Sequence, residues 1–258
     1  MKYIPITCLV LYTFLFANCK KQYSAILPEM QQDEEIMMGP PPSGPGFNTW
    51  YQRPDLPLTG MGRYGAYGFG ASGSIYFGGG FGADGNSHKD LWKIDTVIGS
   101  VWTQQASLPG LSRGGAANFG MGEKGYVCAG YHLVAPPLSS ESKLLKDLWE
   151  YDGFYNTWKK KAALPGVARF YAVGIDINDR GYVGTGSISV SGQHLNDWWQ
   201  FNPATNNWVQ KANFPGTPRA GAVGFTVNLD IGYVGTGSTG SGVLKDLWRY
   251  TASTNTWV

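Results

Sequence analysis

The stretch Asn196–Ala222 reads NDWWQFNPATNNWVQKANFPGTPRAGA, and nearly the same phrase returns as KDLWRYTASTNTWV over Lys245–Val258. The recurrence runs back through the chain. Trp50, Trp102, Trp158, Trp208 and Trp257 stand 52, 56, 50 and 49 residues apart. Seven residues after each of the first four comes a proline: Pro57, Pro109, Pro165 and Pro215. An arginine follows at Arg63, Arg113, Arg169 and Arg219, and three residues on is Ala66, Ala116, Ala172 or Ala222. Glycine-closed runs come next: IYFGGG (75–80), GYVCAG (125–130), and GYVGTG at 181–186 and 232–237. Each repeat then carries an Asp-x-Trp unit, at Asp90-Leu91-Trp92, Asp147-Leu148-Trp149, Asp197-Trp198-Trp199 and Asp246-Leu247-Trp248. Self-similarity at this period marks a repeat architecture.

Within one repeat the pieces read as four short strands. In the last they are Ala222–Val227, Gly232–Gly237, Asp246–Tyr250 and the segment around Trp257. The turns between them, such as Asn178-Asp179-Arg180-Gly181 and Asn202-Pro203-Ala204-Thr205-Asn206, use residues that tolerate left-handed backbone or preset φ. Composition agrees: 37 Gly and 10 Trp in 258 residues, with 15% charged, suit short strands and tight turns. Glycines closing a strand, then an Asp-x-Trp-x-aromatic strand, then a lone Trp, resemble kelch repeats. That resemblance covers residues 50–257 and implies an all-β kelch propeller of four complete four-stranded blades, within a domain spanning 49–258. Trp50 stands as an orphan outer strand before them. The orphan strand and the end at Val258 lead to the expectation of an incomplete propeller, the N-terminal part of a longer one. The recurring tryptophans are expected to fill the space between blades rather than to stack on sugars.

Residues 1–19 read as an export signal. Lys2 precedes the apolar run Ile4–Phe16, too short to span a membrane, and Phe16-Ala17-Asn18-Cys19 resembles a bacterial lipobox. The resemblance implies cleavage before Cys19 and a lipid on its sulfur. An ordinary secretory signal with an incidental cysteine is the other reading, and both take the chain out of the cytoplasm. Residues 20–48 show no hydrophobic period and carry Gln31-Gln32-Asp33-Glu34-Glu35 and a Pro/Gly run from Gly39 to Gly46, as expected of a flexible tether. The expected location is the cell envelope, as an outer-membrane lipoprotein facing the periplasm or the surface.

A formal charge of +2 leaves no basic stripe and argues against a nucleic-acid partner. The arginines at the start of each inner strand should ring the mouth of the central channel. Arg63, Arg113, Arg169 and Arg219 are therefore candidates to hold an anionic group through bidentate hydrogen bonds. The alternative is that each pairs with Asp90, Asp147, Asp197 or Asp246 on the same face, and the recurrence favours it. What recurs in every repeat is scaffold; what occurs once is where function should be sought. The second repeat's connection from Gly130 to Asp147 is the longest and holds Tyr131 and His132, two further ligand-binding candidates. His88, His132 and His194 all fall in such connections, on three successive blades and without metal-ligand spacing, so no metal or other cofactor is expected.

Kelch propellers include copper oxidases resembling galactose oxidase and bacterial mutarotases acting on sialic acid. The first comparison rests here only on Tyr131-His132 and nearby Cys128. The second would use a mouth arginine to hold the sugar carboxylate, and no general base stands out beside it. No nucleophile motif, phosphate loop or zinc pattern is present. The expectation is a ligand- or protein-binding module, with an anionic small molecule, glycan or protein at the channel mouth and the membrane reached through a lipid anchor. A carbohydrate-active enzyme is the alternative.

Overall fold

The computed structural model describes residues 54–58, 62–95, 101–135, 140–189 and 192–258. The signal segment with Cys19, the tether and Trp50 lie outside the described residues, as does 136–139 of the long second-repeat connection.

Alternation on the inner strands sets the architecture. Tyr67–Ala71 reads YGFGA, so ring-bearing and glycine positions point to opposite faces. Pairing extends the two faces across the sheet, with Phe69 opposite Tyr76 and Gly68 opposite Phe77. Each repeat forms one antiparallel four-stranded sheet in sequence order, and the four sheets are arranged as the blades of a propeller. The first blade comprises Tyr67–Ala71, Ser74–Gly78, Leu91–Asp95 and Trp102–Gln105. Ala117–Met121, Lys124–His132, Lys143–Asp152 and Thr157–Lys161 form the second. The third holds Val173–Asp176, Gly181–Gly184, Trp198–Asn202 and Asn207–Lys211. Val223–Thr226, Ile231–Gly235, Leu247–Thr251 and Thr256–Trp257 make the fourth. The strands expected for that last repeat are found within two residues of their expected ends.

The blades stack ring face to glycine face. Phe69 and Tyr76 of the first blade pack with Val127 and Tyr151 of the second, Phe119 and Tyr126 with Val183 and Phe201 of the third, and Ile175 and Tyr182 with Val234 and Tyr250 of the fourth. Glycine on the receiving face is a requirement of distance. A Cβ on Gly120 would stand 2.0 Å from the Gly70 carbonyl oxygen, and one on Gly125 would stand 2.0 Å from the Phe69 ring. Fully burying a side chain such as Phe201 contributes roughly 1.5–3 kcal/mol, so these three interfaces are the core.

The lone tryptophan of each outer strand ties its blade to the connection before it. Nε1 of Trp158, Trp208 and Trp257 donates to the carbonyls of Ala106, Ala162 and Ala212 at 2.7, 2.8 and 3.0 Å. The same alanines donate their N–H groups to the side-chain oxygens of Asn156, Asn206 and Asn255, each at a turn with φ near 55°. Trp102 makes the corresponding bond to the carbonyl of Pro54, at 2.7 Å.

Candidate functional site

The four recurring arginines, each just before an inner strand, shape one face of the propeller. Arg113, Arg169 and Arg219 have fully buried side chains, and that of Arg63 is nearly so. Each forms an ion pair with the aspartate of its own repeat: Asp90, Asp147, Asp197 and Asp246 respectively. For Arg113 the pair is bidentate, at 2.7 and 2.9 Å, and Nε donates to the Leu111 carbonyl at 3.1 Å. Trp149 Nε1 donates to the second oxygen of Asp147, and Trp92, Trp199 and Trp248 do the same in their repeats. Burial opposes the charge of Asp147 and Asp197, yet the guanidinium and indole donors outweigh it and hold both below the usual carboxylate value. For Asp246 the Arg219 bonds lead and bring it to about 2.

The paired glycine positions complete this knot. Gly79, Ala129, Thr185 and Thr236 all have φ near 60°, a left-handed turn that aims their carbonyls at the arginine Nη1 of the same repeat. The next residue then donates its N–H across the blade boundary: Gly80 to the Arg113 carbonyl, Gly130 to Arg169 and Gly186 to Arg219, at 2.8–2.9 Å. Arginine, Asp-x-Trp and the double-glycine position are thus one device, repeated four times.

The positions immediately after the arginines behave differently. Backbone bonds run from blade to blade there, with Gly115 donating to Gly65, Tyr171 to Gly115 and Gly221 to Tyr171, just before the inner strands that border the channel. This row marks the channel mouth. Its residues vary: Tyr64, Gly114, Phe170 and Ala220 follow the four arginines, and Gly65, Gly115, Tyr171 and Gly221 follow those. Facing them are Phe81, Tyr131, Ser187 and Ser238. Five aromatic side chains therefore form one arc over the first three blades. Ring centroids are 5.1 Å apart for Tyr64–Phe81, 6.5 Å for Phe81–Tyr131, 5.7 Å for Tyr131–Phe170 and 5.0 Å for Phe170–Tyr171. Tyr64 is 63% exposed, while Tyr131, Phe170 and Tyr171 are half-buried. Tyr171 has φ 53°, where the other three repeats have glycine, so a bulky residue is held in strained backbone.

Beside Tyr131 lies a small polar cluster. His132 Nδ1 is 2.9 Å from the Ser112 carbonyl, which can only accept, so Nδ1 carries a proton. Ser112 Oγ lies 3.0 Å from the same nitrogen and 2.9 Å from Ser87 Oγ. The long second-repeat connection docks on the first blade at this point, through Leu133 N to Ser87 Oγ and Ala135 N to Asn86 Oδ1. Ser87, Ser112 and His132 also line a groove of about 1130 Å³ between the first two blades.

Of the ligand candidates named from sequence, Tyr131 and His132 lie at the mouth, and the four arginines lie beneath it in their ion pairs. The histidines are half-buried rather than freely solvated; His88 sits 3.3 Å from Asp84, and His194 has an unpartnered, buried Nδ1. Among the described residues no three His, Cys, Asp or Glu side chains gather as metal ligands. Cys128 is buried, and burial pushes its thiol up to about 12. Sequence reading missed Tyr64, Phe81, Phe170 and Tyr171, although a column-by-column alignment of the repeats shows all four breaking the pattern.

No family model matches the chain, and no curated protein matches it. A solved structure titled "Structure of YjhT" matches with a TM-score of 0.66 at 19% identity, over 80% of this chain. The chain covers 66% of that structure's length. At this identity the likeness shows the propeller fold and nothing about activity.

Proposed function

We propose that this protein is an exported, lipid-anchored propeller of kelch type that binds a glycan at the mouth of its central channel. One observation carries the reading: the mouth is where the repeats stop repeating, and the residues that break the pattern there are aromatic. Tyr64, Tyr131, Phe170 and Tyr171, partly exposed around the buried Phe81 and with Tyr171 held in strained backbone, offer apolar faces to sugar C–H groups, while His132 and the rim serines offer polar partners. Binding is favoured over catalysis because Asp90 and Asp147, which line the adjoining groove, already accept hydrogen bonds from arginine and tryptophan. Export and anchoring at Cys19 rest on the sequence of the first 19 residues.

The test is a screen of the purified chain on an array of neutral and acidic glycans, followed by affinity measurements on the hits. Tyr64→Ala and Tyr131→Ala should lower the affinity for a hit about fivefold or more while leaving the unfolding curve in place, as expected when a stacking platform worth about 1 kcal/mol or more is removed. Undiminished binding by both variants, or an array without hits, would overturn the reading.

A further inference from the structure

We propose that the groove between the first and second blades takes a linear glycan bearing carboxylates, whose charges are read by Lys89, Lys143, Lys146 and Lys160. This deepens the glycan-binding reading and rests on it. The arginines beneath the mouth are consumed by their aspartates, so they supply no free charge. The groove does. Lys89, Lys143, Lys146 and Lys160 all line it and are exposed, and none of the four has a carboxylate partner among the described residues. Among the described residues the carboxylates lining it are Asp90 and Asp147, which are neutralised by Arg63 and Arg113. Four uncompensated cations thus line one groove of a chain whose formal charge is only +2.

The cluster belongs to these two blades. Lys160, two residues after Trp158, is Gln104 and Gln210 after Trp102 and Trp208; the position of Lys89 and Lys146 is Asn196 in the third repeat and lysine again, Lys245, in the fourth, so it is Lys143 and Lys160 that set this groove apart. Lys143 lies on the long connection that only the second repeat has. Like-charged side chains gathered in a cleft focus the potential of its walls on an anionic ligand. Lysines are point charges on flexible stems, suited to carboxylates spaced along a chain rather than to one group gripped by a fork. The lining also carries apolar and aromatic side chains, Pro109, Leu111, Leu144 and Trp149, beside polar ones such as Ser107 and Ser112, with Lys160 Nζ 5.9 Å from the Trp149 ring centroid. Lysines, apolar side chains and hydroxyls in one groove suit a uronic-acid chain, which carries carboxylates, C–H faces and hydroxyls together. A nucleic acid would call for a run of stacking rings, and the groove has one, already partnered by a lysine. Its inner end meets the His132–Ser112–Ser87 cluster beside Tyr131, so one chain can reach from the groove to the aromatic arc.

Calorimetric titration with an oligogalacturonate tests this, with its methyl ester as the neutral control and polyglutamate and single-stranded DNA as rival polyanions. The wild-type chain should bind the oligogalacturonate, lose affinity as salt rises, and prefer it to the ester, the polyglutamate and the DNA. Each of Lys89→Gln, Lys143→Gln and Lys146→Gln should weaken binding roughly two- to fivefold, and the triple variant more, with unchanged melting curves. Equal affinity for the ester, for polyglutamate or for DNA would overturn the proposal. Full affinity in the triple variant would overturn it too; if Tyr64→Ala still abolished binding there, glycan binding at the mouth would survive without the lysine groove.

Discussion

Between Arg169 and Tyr171 the chain passes from scaffold to rim. Arg169 is wholly buried and spends its donors on Asp197 and on the Val167 and Thr185 carbonyls, so removing its partner strands a charge. Asp197→Ala should therefore cost roughly 3–5 kcal/mol in denaturant unfolding. The same pairs set the acid limit of the fold. Asp147, Asp197 and Asp246 have folded values held below their ordinary ones, so their contribution is fully present above the unfolded carboxylate value and lost as pH falls through the folded one. The melting temperature should stay level from neutrality to about pH 4, then fall as pH approaches about 2, the value for Asp246. Tyr171 is the opposite case. A left-handed backbone costs a side chain roughly 1–2 kcal/mol, so Tyr171→Gly should stabilise the fold by up to about 1 kcal/mol after the ring's packing on Gly115 is lost, while weakening ligand binding. A destabilised Tyr171→Gly variant would show that the ring serves packing instead. The arginine–aspartate pairing was legible from sequence because both partners recur in step. Tyr171 was not, because nothing in a single sequence says that a position needs positive φ until its glycine counterparts are aligned.

At the scale of the strand and blade, glycine decides which face another sheet can approach. Gly120→Ala would drive a methyl into the Gly70 carbonyl, backbone against backbone, whereas a Cβ on Gly70 has only the Ser74 carbonyl at 3.9 Å. Thermal unfolding should show Gly120→Ala losing roughly 1–3 kcal/mol or more and Gly70→Ala staying close to wild type. Equal effects would mean that the blade interface is not set by this contact. The four repeats could be read from the spacing of Trp, Pro, Arg and Asp-x-Trp, and the blades with their strand order were what the resemblance to kelch repeats implied. The reason for the glycines could not, since alternation of rings and glycines states that two faces differ but not that one blade's rings enter the next blade's glycine face. Asn156, Asn206 and Asn255 were visible only as turn residues; their side chains bond the connection of the preceding blade, a contact some 43–50 residues distant.

For the whole molecule, the stack ends in two open faces among the described residues. The ring face of the fourth blade leaves Val223, Phe225 and Leu247 at 59%, 45% and 58% exposure, while the glycine side of the first leaves Ile75 and Phe77 near 40%. Each is half of an interface that the chain builds three times elsewhere. At the other end, the proposal of a lipid anchor predicts that the mature protein begins at Cys19 and partitions into detergent. Cys19→Ser should release it or leave it unprocessed, and normal anchoring of that variant would contradict the proposal. On the proposed function the non-repeating rim, and not the repeated arginine knot, meets the ligand. A crystal structure with the strongest glycan from the array tests it most directly. The account predicts a sugar ring stacked on Tyr64, Tyr131 or Tyr171 with Arg113, Arg169 and Arg219 still bonded to Asp147, Asp197 and Asp246; a sugar held by those arginines with the aspartates displaced, or bound away from the mouth and its adjoining groove, would contradict it.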